Sequence, residues 1–105
     1  MIETTRFDAA EYLGTPVRQA AYITAALETG ELEFVRDALR LVARAQGIAG
    51  IAKTAKLNRE SLYKALGDAG NPEFDTILRV IRALGLTLSA RPAQKKRAPR
   101  KRRAA

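Results

Sequence analysis

The stretch Ile51–Leu66, IAKTAKLNRESLYKAL, leaves this chain few options. Its apolar residues recur at helical spacing, yet they do not line up as one helix. Ile48, Ile51, Ala52 and Ala55 fall at i, i+3, i+4 and i+7, which predicts a short helix over Ile48–Ala55. Lys56-Leu57-Asn58 breaks the period. Asn58 is a strong N-cap, because its side-chain oxygen can accept from a free backbone N–H in the next turn. A second helix is therefore predicted over Arg59–Leu66. Leu62, Ala65 and Leu66 share one of its faces; Glu60 and Lys64 point the other way, flanked by Ser61 and Tyr63. Two short helices joined by a tight turn with one inward apolar residue, Leu57, make a helix–turn–helix pattern. Any corner between helices has a similar outline, so the rest of the chain has to discriminate.

Upstream, Asp8-Ala-Ala-Glu11 has the spacing of a capping box and predicts a short helix over Ala9–Leu13, closed by Gly14. Thr15-Pro16 reads as an N-cap followed by proline at the first helical position. The next helix is expected over Pro16–Glu28, with Val17, Ala20, Ala21, Tyr22, Ile23 and Leu27 on a broad apolar arc. A third, over Leu32–Ala45, carries Leu32, Val35, Leu39 and Val42 and stops at Gly47. Downstream, Asn71-Pro72 repeats the cap-and-proline start. It opens the most periodic segment of the chain, Pro72–Leu84, striped with Phe74, Ile77, Leu78, Ile81 and Leu84 and ended by Gly85. Leu86-Thr-Leu88-Ser-Ala alternates and reads as a short strand or an extended arm. From Arg91 onwards proline, alanine and like charges leave no periodicity, and this tail is expected to be disordered. The expected organisation is a helical extension over 1–46 within one compact domain, a DNA-binding core with a short arm over 47–90, and a basic tail over 91–105.

The chain has no cysteine and no histidine, which removes disulfides, thiolate ligands, the commonest general base and the commonest metal ligand. No apolar run approaches the roughly 20 residues that cross a bilayer. The start MIETTRFDAAEYL lacks the basic and apolar regions of a signal peptide. A soluble cytoplasmic protein without cofactor or metal is expected. The net charge of +8 is unevenly placed. Residues 1–37 hold seven acids and three bases, residues 38–90 four acids and eight bases, and residues 91–105 eight bases and no acid. Such asymmetry suggests separate partners for separate segments. The acids are scattered at helix starts or set beside bases, and there is no glycine-rich phosphate loop, so an enzyme is not expected.

The run IAKTAKLNRESLYKALGDAGNPEFDTILRVIRALGLTL resembles the helix–turn–helix of the Xre/Cro family, of the lambda-repressor type, through Ile51-Ala52, Leu57, Leu62, Asn71-Pro72 and Leu84-Gly85. With the opening TTRFDAAEYL and the phrase NRESLYKAL…GNPEF, residues 3–90 resemble more narrowly the HigA-type addiction module antidotes. That resemblance implies an all-α protein that neutralises a RelE/HigB-like mRNA-cleaving toxin and represses its own operon as a DNA-binding dimer. Two features depart from the pattern. Ala49 and Gly50 stand where a Gln or Ser often holds a phosphate, and Lys56 stands where the turn often has glycine. Either the turn needs no left-handed residue, or it strains this one.

If the motif docks in the usual way, Asn58, Arg59 and Glu60 are the candidate base readers. Arg59 suits guanine; Asn58 suits adenine or simply caps; Glu60 suits cytosine or pairs with Lys64 at i, i+4. Lys53, Thr54, Lys56, Ser61, Tyr63 and Lys64 are candidate phosphate contacts, which position without reading sequence. Lys95, Lys96, Arg97, Arg100, Lys101, Arg102 and Arg103 would add sequence-independent affinity. One short helix reads only a few base pairs, so a twofold dimer is expected, with Val80, Leu84, Leu86 and Leu88 as its candidate contacts. For the toxin, the acidic first third offers Glu28, Glu31, Glu33 and Asp37 around Gly30, with Phe7, Tyr12, Tyr22 and Phe34 as aromatic anchors. Two rivals stay open: a free-standing regulator with no toxin, and a protein-interaction module that has lost specific DNA binding.

Overall fold

The computed structural model describes residues 12–93. Five helices occupy this span: α1 Pro16–Thr29, α2 Leu32–Gln46, α3 Ile48–Ala55, α4 Arg59–Leu66 and α5 Phe74–Ala83. No strand occurs among the described residues, and Leu86–Ala90 forms an irregular arm. The helix expected over Ala9–Leu13, with its Asp8 cap, lies largely outside the described residues, as do Phe7 and the basic positions from Lys95 onwards.

Local chemistry sets the boundaries of α1. The Thr15 hydroxyl accepts from the Arg18 N–H at 3.2 Å, and Pro16 fills the first helical position. Gly30 closes the helix in the left-handed region, at φ 72, and its N–H donates to the Leu27 carbonyl. The helix buries only Gln19, Ile23 and Ala26, so the expected apolar arc is too broad: Val17 and Leu27 are exposed.

Helix α2 is the spine of the bundle. Val35, Ala38, Leu39, Val42 and Ala43 are buried at helical spacing, and the helix packs against α1, α3 and α4. Helix α3 also packs on α4 and α5. Leu62 and Leu66 of α4 and Ile77, Val80 and Ile81 of α5 complete one core with Leu13, Ile51, Ala52 and Leu84.

Three expectations for the last helix need correction. It starts at Phe74, not Pro72, with Glu73 at the cap and no side-chain cap bond. Gly70 lies hard against the end of α4, where a Cβ would overlap the carbonyls of Ala65 and Lys64. Asn71, preceding a proline, is pushed towards extended backbone, so the chain leaves Gly70 unwound. Phe74, expected in the apolar stripe, is 65% exposed. Val80 and Leu84, expected at a dimer face, are 0% and 4% exposed in the chain's own core and have no surface to offer a second copy. Leu86 and Leu88 are half-buried against the same core. Leu86 also has a local duty. The Gly85 N–H donates to the Arg82 carbonyl at 2.9 Å and the Leu86 N–H to the Ile81 carbonyl at 3.1 Å. This is the paired closure in which the residue after the left-handed glycine packs back on the helix.

A polar bridge crosses the bundle. Gln19, 6% exposed, donates from Nε2 to the Leu13 carbonyl at 2.8 Å. Its Oε1 accepts from Gln46 Nε2, which also donates to the Leu84 carbonyl, each at 2.8 Å. The start of the described chain, α1, α2 and the end of α5 are thereby joined.

Candidate nucleic-acid interface

The α3–turn–α4 unit is built from its own caps. Asn58 is extended, and its Oδ1 accepts from the Ser61 N–H at 2.7 Å, fixing the start of α4. Reading adenine would take both ends of the Asn58 amide, so the same Oδ1 would have to accept a second hydrogen bond beside the cap. Lys56 adopts φ 62 and ψ 43, which decides between the two readings of the turn: it does require a left-handed residue, and lysine supplies it. The Lys56 N–H donates to the Lys53 carbonyl at 3.1 Å and the Leu57 N–H to the Ala52 carbonyl at 2.9 Å. Leu57, expected to be buried, is half-buried against the core.

Side chains from elsewhere hold the far ends of both short helices. Arg40 of α2 donates to the Leu66 carbonyl at 2.6 Å, and also to Asp37 at 2.7 Å, with the Asp68 carboxylate 3.6 Å away. Arg36, one turn earlier, donates to the Gly70 and Asp68 carbonyls at 2.5 and 2.8 Å; its Nε is buried without a partner. Arg79 of α5 pairs with Asp75 and donates to the Ala55 carbonyl at 3.3 Å, at the end of α3. A guanidinium at a helix C-terminus satisfies orphan carbonyls and opposes the helix dipole. Sequence reasoning counted these arginines only as charge. The i, i+4 spacing of Arg36 and Arg40 on α2 was the available signal.

With its ends held, α4 turns Leu62 and Leu66 inward. Arg59, Glu60, Ser61, Tyr63 and Lys64 are exposed, as are Lys53 and Thr54 on α3 and Lys56 in the turn. Among the described residues, Lys53, Lys56, Arg59 and Lys64 have no ion pair or side-chain hydrogen bond, and Glu60 does not pair with Lys64. Arg36 and Arg40 of α2 and Arg79 of α5 are engaged internally, whereas these four cations face solvent. Ala49 and Gly50 are exposed at the start of α3, where Gly47 gives no side-chain cap.

The second group of candidate residues lies around Gly30. Glu31 is the N-cap residue of α2, Glu33 sits in its first turn, and Phe34 is exposed beside them. Exposed Leu27 and Leu32 flank the same turn; sequence periodicity had assigned both to buried faces. Glu28 pairs with Arg91 at 2.9 Å, which places Arg91 beside this corner. Asp37 faces Arg40. Tyr22 is half-buried against the core, and Tyr12 is exposed with the Arg18 guanidinium 5.4 Å from its ring centre. Among the described residues there is no cluster of metal-ligating side chains, and no helix is long and apolar enough to cross a membrane.

No solved structure matches the chain. An uncharacterised protein of Haemophilus influenzae is 40% identical over 80 residues, covering 76% of this chain and 82% of that protein. Residues 3–92 match the family described as probable addiction module antidote protein. That match spans nearly all the described residues, the cationic α3–turn–α4 face and the acidic corner together, and the chain belongs to the probable addiction module antidote family.

Proposed function

We propose that this chain is an antitoxin that holds a RelE/HigB-like mRNA-cleaving toxin through the corner at Gly30 and represses its own operon through α3–turn–α4, used as an Xre-type helix–turn–helix. The observation that carries the DNA-binding half is the exposed set Lys53, Lys56, Arg59 and Lys64, unpaired among the described residues, on two helices whose C-terminal ends are held by arginines and the second of which is capped by Asn58. A rigid cationic face of this kind suits phosphate contact, with Arg59 and Glu60 at the start of α4 placed to meet base edges. Asn58 acts in this scheme through its cap. Family membership implies a toxin partner of some kind, which favours this reading over a free-standing regulator. A toxin that grips RNA needs a cationic surface. The corner offers Glu31 and Glu33 with Leu27, Leu32 and Phe34 as apolar anchors, a combination that steers a basic partner and then holds it. The active DNA-binding form is a twofold dimer, because α4 alone spans too few base pairs for a unique site.

Co-expression with the neighbouring reading frame tests the whole scheme. The two products should copurify, and the chain should rescue growth arrested by that frame. Phe34→Ala with Glu31→Lys should abolish rescue while leaving binding to the upstream promoter duplex intact. Arg59→Ala should do the reverse, weakening promoter binding by about 1–3 kcal/mol relative to random duplex. Rescue at full strength by the corner variant would move the toxin contact elsewhere.

A further inference from the structure

Two helices of this protein end in the same way with different residues. At the end of α5 the closure turns on Gly85, at φ 82; at the end of α3 it turns on Lys56, at φ 62, with the same pair of backbone hydrogen bonds. Gly30 closes α1 in the left-handed region as well. Lys56 is the one non-glycine residue with positive φ among the described residues. Glycine adopts this conformation without steric cost, whereas a lysine Cβ crowds its own backbone there. The structure shows no internal return for that strain. The Lys56 side chain is exposed, with no ion pair or hydrogen bond among the described residues. Backbone strain without a local return concentrates where a side chain serves a ligand.

The surroundings indicate which ligand. Lys56 lies between Lys53 and the start of α4, on which Arg59 in the first turn and Lys64 in the last are also free cations. Tyr63 is the only large hydrophobic side chain exposed on α3, the turn or α4, while Val17, Leu27, Leu32 and Phe34 lie on α1 and α2 and Phe74 at the start of α5. A protein partner would want apolar anchors at this place; a polyphosphate backbone wants separated cations and releases counterions on binding them.

Resting on the DNA-binding reading above, we infer that Lys56 is a positioning residue for duplex DNA, kept in place of the glycine that the turn would prefer so that its ammonium anchors a backbone phosphate at the entry to α4. Stability and binding are therefore opposed at this residue. The test uses the full chain, a duplex from the promoter region upstream of its own reading frame, and a scrambled duplex. Lys56→Gly should raise the thermal midpoint. It should also weaken binding to both duplexes several-fold near physiological salt and reduce the slope of log K against log salt by about 0.9 per chain. Lys56→Arg, which keeps both strain and charge, should retain wild-type binding. A Lys56→Gly chain that binds with the wild-type slope would show the lysine to be a spectator, and one that melts below wild type would show the turn to be unstrained; either overturns the inference. Arg59→Ala and Lys64→Ala separate it from its premise. If they weaken duplex binding and Lys56→Gly does not, only the role of Lys56 fails. If wild type binds no better than those two variants, the DNA-binding reading fails and takes the inference with it.

Discussion

Glycine has opposite meanings at two positions close together in the chain. At Gly70 an added Cβ would overlap the carbonyls of Ala65 and Lys64, and those carbonyls belong to a helix clamped by Arg40. At Gly50, inside α3, the same atom would enter open space. Gly70→Ala should therefore cost about 1–3 kcal/mol, in the range of overpacked sites. Gly50→Ala should stabilise by about 0.5–1 kcal/mol through lower unfolded-state entropy. Chemical denaturation of the two variants against wild type checks both signs. Only part of this was legible in the sequence. The Asn58 and Thr15 caps were, because a cap is a relation between residues three apart. The close approach at Gly70 was not, because it depends on where α2 and α4 meet. The same limit applies to Arg36, Arg40 and Arg79, whose acceptors include carbonyls 24–34 positions away in sequence.

At the level of elements, α3 and α4 match their predicted bounds, and α1 and α2 each run one residue longer. Period and caps were enough there. The departures arise where tertiary packing decides: the late start of α5, the exposure of Phe74, and the burial of Val80 and Leu84. A stripe at helical spacing shows that a face is buried but not what buries it. Here the answer is α3, which packs directly on α5. The α3–turn–α4 unit is accordingly not self-sufficient. Its carbonyl ends are satisfied by α2 and α5, and Leu39 and Val42 of α2 share its core. A fragment starting at Gly47 should show little helix by far-ultraviolet circular dichroism and no cooperative melting transition. A cooperatively folded fragment would mean that α2 contributes less than the arginine bonds imply.

The whole molecule separates its charges along the chain, and the fold gives each group a place. The acidic residues of α1 and α2 gather near Gly30, Lys53, Lys56, Arg59 and Lys64 lie unpaired on α3–turn–α4, and Arg91 pairs with Glu28 beside the corner. Removing residues 94–105 deletes seven positive charges while sparing that ion pair. The salt slope of DNA binding should fall by up to about 0.9 for each phosphate that these charges neutralise. Preference for the promoter over random duplex should hold, which competition titrations at several salt concentrations would measure. The charge pattern was readable from the sequence; the proximity of its two opposite ends was not, since Glu28 and Arg91 are 63 residues apart. The three arginine clamps also have a consequence in time. Because Arg36 and Arg40 tie α2 to the end of α4 and the loop after it, and Arg79 ties α5 to the end of α3, none of these helices can open alone without stranding a carbonyl or a guanidinium on another element. Amide hydrogen exchange should therefore report α2, α3, α4 and α5 as one unit with a common opening free energy. Arg40→Met should let the last turn of α4 exchange ahead of the rest, turning a single clock into two.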